Sequence, residues 1–80
     1  MEKEIIELIE GPLSDIGIDI LKVAFEVERK KEYLRVYIDA NDILTCVKAT
    51  KVINPILDLR DPIERSYILE VLSKGEENGN

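Results

Sequence analysis

The sequence predicts an α+β fold, a two-layer αββαβ sandwich with two helices on one face of a three-stranded sheet. Three observations support this. Apolar residues recur at helical spacing from residue 2 to 16 and again from 43 to 57. Between them, residues 18 to 39 alternate apolar and polar side chains around a charged reversal. A third alternating segment, Tyr67 to Val71, follows Pro62.

The first helix is predicted from Glu2 to Ile16. Its apolar stripe consists of Ile5, Ile6, Ile9, Leu13 and Ile16. Four glutamates lie among these residues, and acids in the first turns suit the positive end of the helix dipole. Pro12 predicts a kink or a restart of the helix. Gly17 is expected at the C′ position that ends it.

Two strands should then form an antiparallel hairpin, from Ile18 to Glu28 and from Tyr33 to Asp39. Their apolar face is expected to contain Leu21, Val23, Phe25, Val27, Leu34, Val36 and Ile38. The fully charged residues 28 to 32 between the strands are typical of an exposed turn.

A second helix should follow, with Asp42 or Thr45 as its cap. Its predicted buried stripe is Ile43, Cys46, Ala49, Ile53, Ile56 and Leu57. A bend is expected near Pro55, and an end near Asp58. The last strand is predicted from Arg65 to Leu72. Residues 2–72 therefore form a single domain, and we expect 73–80 to be a disordered tail.

Composition excludes several classes of function. The chain has one cysteine and no histidine, so it cannot form an internal disulfide, a histidine triad or a thiolate metal site. Cys46 is best interpreted as a buried packing residue. We therefore expect no enzymatic activity, no cofactor and no metal. A net charge of −6 disfavours DNA and other phosphate backbones as partners. Without a signal peptide or an apolar membrane span, the protein is expected to be cytoplasmic.

One sheet face has no cover in the predicted layout. It should carry Ala24, Glu26, Tyr33, Arg35, Tyr37, Ile68, Glu70 and Leu72. Tyrosine and arginine are typical anchors of protein interfaces, which favours protein binding over stacking of single-stranded RNA. We therefore predict a partner-binding site at Tyr33, Arg35, Tyr37, Ile68, Glu70 and Leu72. Glu7 and Glu10 of the acidic first helix are also candidates, for contact with a basic protein.

Several short motifs follow one another along the chain: Pro12 and Gly17, residues 34–39, Cys46 and Thr50, Leu57-Asp58, Asp61-Pro62-Ile63, and Tyr67-Ile68-Leu69-Glu70-Val71. In the order and spacing of these motifs the sequence resembles the amino-terminal domain of the bacterial ribosome maturation factor RimP. The resemblance implies an αββαβ domain of a cytoplasmic, non-enzymatic assembly factor. Such a factor binds the immature small ribosomal subunit and contacts a basic ribosomal protein.

Two departures from that family are visible. Family members continue with a Ser-Ser-Pro-Gly segment and a small β-barrel domain. At the Ser-Ser-Pro-Gly positions this sequence has Leu72, Ser73, Lys74 and Gly75, and we expect the barrel domain to be absent. The usual acidic pair before the second-helix cysteine is replaced by Leu44 and Thr45.

The leading hypothesis is a binding module in small-subunit maturation that contacts a basic ribosomal protein. One alternative is an interaction domain that forms a homodimer through the open sheet face or the edge of its third strand, with no ribosomal role. Such a dimer should resist salt, whereas an acidic contact should weaken with salt. Another alternative is a KH-like RNA-binding domain, which the lack of a Gly-x-x-Gly loop disfavours.

Overall fold

A computed structural model describes residues 1–74 of the chain. The elements are α1 (Glu2–Asp15), β1 (Ile20–Glu28), β2 (Lys31–Ile38), α2 (Ile43–Arg60) and β3 (Ile68–Leu72). Strand β2 is central, antiparallel to β1 and parallel to β3. The predicted αββαβ order is confirmed, although β1 and β3 begin later than predicted.

Both helices pack on one face of the sheet and share one hydrophobic core. The fully buried side chains are Ile5, Ile9, Leu13, Leu34, Val36, Ile38, Ala49 and Ile53. Their spacing follows the helical and strand periods along the chain, which is why each element contributes one face. Cys46 is buried in the same cluster, so its interpretation as a packing residue is confirmed.

Helix α1 ends in a Schellman motif. The amide of Ile18 donates to the carbonyl of Leu13 at 2.9 Å, and that of Gly17 donates to the carbonyl of Ser14 at 2.9 Å. Gly17 has φ +78°, a conformation that a residue without Cβ adopts at little cost, so the predicted C′ glycine is confirmed. Helix α1 is continuous through Pro12, so of the predicted kink or restart the restart does not occur, and Ile9 and Leu13 on either side of Pro12 are both buried.

The hairpin turn consists of two charged residues in an unfavourable backbone conformation. Arg29 and Lys30 have φ values of 52° and 66°. Positive φ at both positions is the signature of a type I′ turn, in which asparagine and glycine are preferred.

Two residues predicted on the apolar face of β1 are exposed. The register shifts between Ile20 and Lys22, and this irregularity leaves Leu21 without a pairing partner and outside the core. Val27 lies near the turn and pairs with Glu32, beyond the reach of the helices. The alternation prediction was therefore wrong for Leu21 and Val27.

Asp42 is the N-cap residue of α2, and its carboxylate accepts a 2.6 Å hydrogen bond from the Thr45 hydroxyl instead of from a backbone amide. Ile43 was predicted to be buried but is 73% exposed, because the buried stripe begins only at Cys46. The helix continues through Pro55 to Arg60, two residues further than expected. It ends at Asp61, which has φ 46° and donates its amide to the carbonyl of Leu57 at 2.8 Å.

The chain after β3 continues alongside the residues that follow β2. The amide of Lys74 donates to the carbonyl of Ala40 at 2.9 Å, and its ammonium lies 2.7 Å from the Asp39 carboxylate. Most of the predicted disordered tail, residues 75–80, lies outside the described residues.

Relieving the turn should stabilise the domain. Replacing Lys30 with glycine removes a side chain from a left-handed position, where the strain is about 1 kcal/mol, so we expect a net gain of roughly 0.5–1 kcal/mol in the free energy of unfolding. Urea denaturation measures this. The matched control is Lys31→Gly, at a strand position with ordinary φ, which should lower stability; equal effects of the two substitutions would contradict the turn assignment.

Candidate functional site

The face of the sheet turned away from the helices, called the open sheet face here, is organised in cross-strand rows. The register aligns Glu26, Tyr33 and Ile68 in one row and Ala24, Arg35 and Glu70 in the next. A third row joins Lys22, Tyr37 and Leu72. The six sheet residues of the predicted site therefore lie together on one face. Their role in binding stays a prediction.

Arg35 lies at the centre of the open sheet face and bonds to carboxylates on both outer strands. Its Nε donates to Glu70 at 2.6 Å, and its Nη1 donates to Glu26 at 2.9 Å. Glu28 accepts further bonds of 3.3 and 3.4 Å. These bonds raise the pKa of Arg35 above its already high ordinary value, and the bond to Glu26 has the largest effect. The guanidinium therefore bonds to three carboxylates, and the Arg35 side chain is only 14% exposed.

The two tyrosines of β2 are covered by cations. The guanidinium carbon of Arg35 lies 4.5 Å from the centroid of the Tyr33 ring, and the ammonium of Lys22 lies 4.7 Å from that of Tyr37. The Tyr37 hydroxyl lies 3.4 Å from a Glu26 oxygen. Burial, followed by the charge of Glu26, raises the pKa of Tyr37. Tyr37 is only 8% exposed although it is on the open sheet face.

The open sheet face is thus largely closed by its own side chains. Lys22 and Arg35 lie over the two tyrosine rings of β2, and Ile68 is the large apolar residue that stays most accessible there, at 42%. Lysines at positions 22 and 31 and Arg35 balance the three glutamates of the face in charge. An exposed tyrosine platform, as the alternation alone suggested, is not present.

Glu7 and Glu10 lie on the opposite side of the molecule. They are on the outer side of α1, whose inner side buries Ile5, Ile9 and Leu13 against the sheet. The eight predicted site residues therefore form two separate surfaces, and one partner patch cannot contain all of them. Within residues 1–74, neither Glu7 nor Glu10 forms an ion pair or side-chain hydrogen bond.

Near the hairpin, Arg65 closes the end of the core. It forms an ion pair with Glu32, and its guanidinium carbon lies 5.2 Å from the centroid of the Phe25 ring. Sequence reasoning missed this role and the cover that Lys22 provides. The alternation in β1 does place Lys22 on the same strand face as Ala24 and Glu26, so its position on the open sheet face could have been predicted.

An open cleft of about 510 Å³ lies between the end of α2 and the start of β3. Asp58 and Asp61 line it. Burial is the largest cause of the raised pKa of Tyr67, and the negative charges of these two aspartates raise it further. Asp61 is also the C-cap residue of α2, so it has a structural role at the helix end. Within residues 1–74, no three histidine, cysteine, aspartate or glutamate side chains group together so that they could hold a metal ion.

Comparison with known families now identifies the fold. Residues 8–77 match the family model of the RimP N-terminal domain. The chain belongs to this family. The match begins inside α1 and covers the whole sheet and α2, so it includes the open sheet face. RimP proteins are non-enzymatic ribosome maturation factors that act with the small ribosomal subunit.

Neither helix of the described RimP-like domain is long and apolar enough to cross a membrane.

Removing the central cation should destabilise the domain. Arg35→Met leaves three neighbouring carboxylates without their shared donor, and we expect a loss of about 1–2 kcal/mol, because the glutamates are partly exposed and water screens their repulsion. Arg35→Lys keeps the charge but not the planar fork, so it should lose roughly half as much. Urea unfolding at low and high salt measures both. A loss equal for both variants, or independent of salt, would contradict this account.

Stability should fall at alkaline pH. A tyrosine whose pKa is raised in the folded state keeps its proton longer than in the unfolded chain, so its stabilising effect is complete below the unfolded pKa and is lost as pH rises through the folded pKa. We expect the free energy of unfolding to decrease above about pH 10, the ordinary tyrosine pKa. Tyr37→Phe should flatten this decrease, measured by guanidinium denaturation from about pH 8 to 11. An unchanged slope in the variant would show that Tyr37 is not responsible.

Proposed function

We propose that this RimP-like domain acts in maturation of the small ribosomal subunit, in the cytoplasm, by contacting a basic ribosomal protein through α1. Family membership supports the ribosomal role. The choice of α1 as the contact surface depends on how charge is distributed over the domain, and on which carboxylates already pair with a cation of the domain itself.

The observation that carries the proposal is the surplus of free carboxylates on α1. The helix has five acidic residues against a single lysine, namely Glu2, Glu4, Glu7, Glu10 and Asp15 against Lys3. All five acids are exposed. Apart from Glu4, which lies 3.9 Å from the amino terminus, none is paired within the described residues. This acidic α1 surface therefore offers charge to a basic partner without first breaking an internal bond.

The open sheet face is a weaker candidate for the same contact. Its glutamates already bind Arg35, and a basic partner would have to displace that guanidinium. A homodimer through this face also has less support, since Tyr33, Arg35 and Tyr37 are covered and offer few free anchors. The acidic α1 surface is therefore the favoured site.

The test is a charge reversal on α1. Glu7→Lys combined with Glu10→Lys changes the net charge from −6 to −2 and should weaken binding to the recognised basic small-subunit protein about tenfold or more. The assay is titration calorimetry against purified basic small-subunit proteins, at low and at moderate salt. Wild-type binding should weaken with salt, and the variant should show a shallower dependence.

The matched control is Asp58→Lys combined with Glu64→Lys, which makes the same change in net charge at exposed positions away from α1. It should bind like the wild type. Equal weakening by both pairs would mean that only net charge matters, and an unaffected α1 variant would place the contact elsewhere. Either result would overturn the proposed surface.

A further inference from the structure

The first turns of α2 expose an apolar cluster that the domain itself does not cover. Ile43 is 73% exposed, Leu44 is 72% exposed and Val47 is 43% exposed. Ile43 and Val47 are four residues apart and Leu44 and Val47 are three apart, so the three side chains lie side by side on the helix. A contiguous apolar patch at a helix end is unusual on a small domain and marks an association surface.

Cations continue this patch along the helix. Lys48 is one turn beyond Leu44, and Lys51 is one turn beyond Val47. Neither lysine forms an ion pair within the part of the chain that the structure describes. The first turn of α2 contains no acidic residue, and the nearest carboxylate, that of the N-cap residue Asp42, accepts the Thr45 hydroxyl and pairs with neither lysine. Apolar contact and positive charge are therefore offered together, on a protein that is otherwise acidic.

We propose that this α2 patch, defined as Ile43, Leu44, Val47, Lys48 and Lys51, docks an acidic amphipathic helix of a partner protein. The partner's apolar side chains would cover Ile43, Leu44 and Val47. Its carboxylates would meet the two lysines. This is a helix packing on a helix, with charge at the rim and apolar residues at the centre, as in protein interfaces generally.

Other occupants fit the patch less well. RNA would find only two cations in the patch, Lys48 and Lys51, and no aromatic side chain there that could stack on a base. A second copy of the chain could present its acidic α1 surface. That helix, however, keeps Ile5, Ile9 and Leu13 fully buried, so it offers charge without an apolar side. The partner must supply both features on one accessible helix face.

The first probe is a fluorescent peptide of about four helical turns, with leucines along one side and glutamates flanking them. Its control has the same composition in shuffled order, so the leucines no longer share a side. Fluorescence anisotropy should show saturable binding of the amphipathic peptide and at least about tenfold weaker binding of the shuffled one. Amide shifts in the NMR spectrum of the full chain should change around residues 43–51.

Substitutions then separate the contributions. Ile43→Ser with Leu44→Ser should weaken peptide binding about tenfold or more, because both are central apolar contacts. The control Leu59→Ser removes an 84% exposed leucine from the other end of the same helix and should change nothing. Lys48→Gln with Lys51→Gln should weaken binding mainly at low salt. Thermal unfolding of each variant checks that the fold is intact.

Three results would overturn the proposal: equal binding of the shuffled peptide, shift changes away from α2, or no effect of the serine pair in a folded protein. If single-stranded RNA displaced the peptide, and only the Lys48→Gln, Lys51→Gln pair abolished RNA binding, the patch would be reassigned to nucleic acid. The Glu7→Lys, Glu10→Lys variant should still bind the peptide fully. The α1 contact and the α2 contact can therefore fail or succeed independently.

Discussion

The register of β2 is the constraint on which the sheet, the core and the charge pattern all depend. β2 pairs with both other strands, and its successive side chains point to opposite faces. Leu34 and Val36 enter the core, and Arg35 between them meets carboxylates on the open sheet face. A slip of one residue would bury the guanidinium without partners, at a cost of several kcal/mol. Because its partners come from β1 and β3, Arg35 favours the correct register in both strand pairs.

The same arrangement separates charge over the surface. The open sheet face is balanced within itself, so it contributes little to the field outside the molecule. In the helical layer, α1 has five acids against one lysine, whereas α2 has Lys48, Lys51 and Arg60 against Asp58. Two neighbouring helices thus present opposite signs to solvent. A net charge of −6 conceals this difference, and for that reason composition alone excludes too much about possible partners.

How far the sequence predicts this structure depends on how local each feature is. Alternation in β2 and β3 was sufficient to assign their faces correctly. The end of α1 could be predicted from Gly17, because a residue without Cβ adopts the positive φ of a helix cap at little cost. Leu21 was misplaced because the irregularity in β1 arises from pairing with β2, which no local pattern reveals. Tyr37 was expected to be accessible because periodicity gives the face of a residue. Periodicity does not show that Lys22 lies over the Tyr37 ring.

Ile43 shows where periodicity fails at a helix end. A helical stripe can be extended backwards by one turn on spacing alone, but burial also requires that the turn lie over the core. The buried stripe of α2 begins at Cys46, so the preceding turn presents Ile43 and Leu44 to solvent. An exposed large side chain in the first turn contributes almost nothing to folding and increases the tendency to aggregate. These two side chains lie beside two lysines that form no ion pair within the described residues, and this combination is what the proposed partner helix would cover.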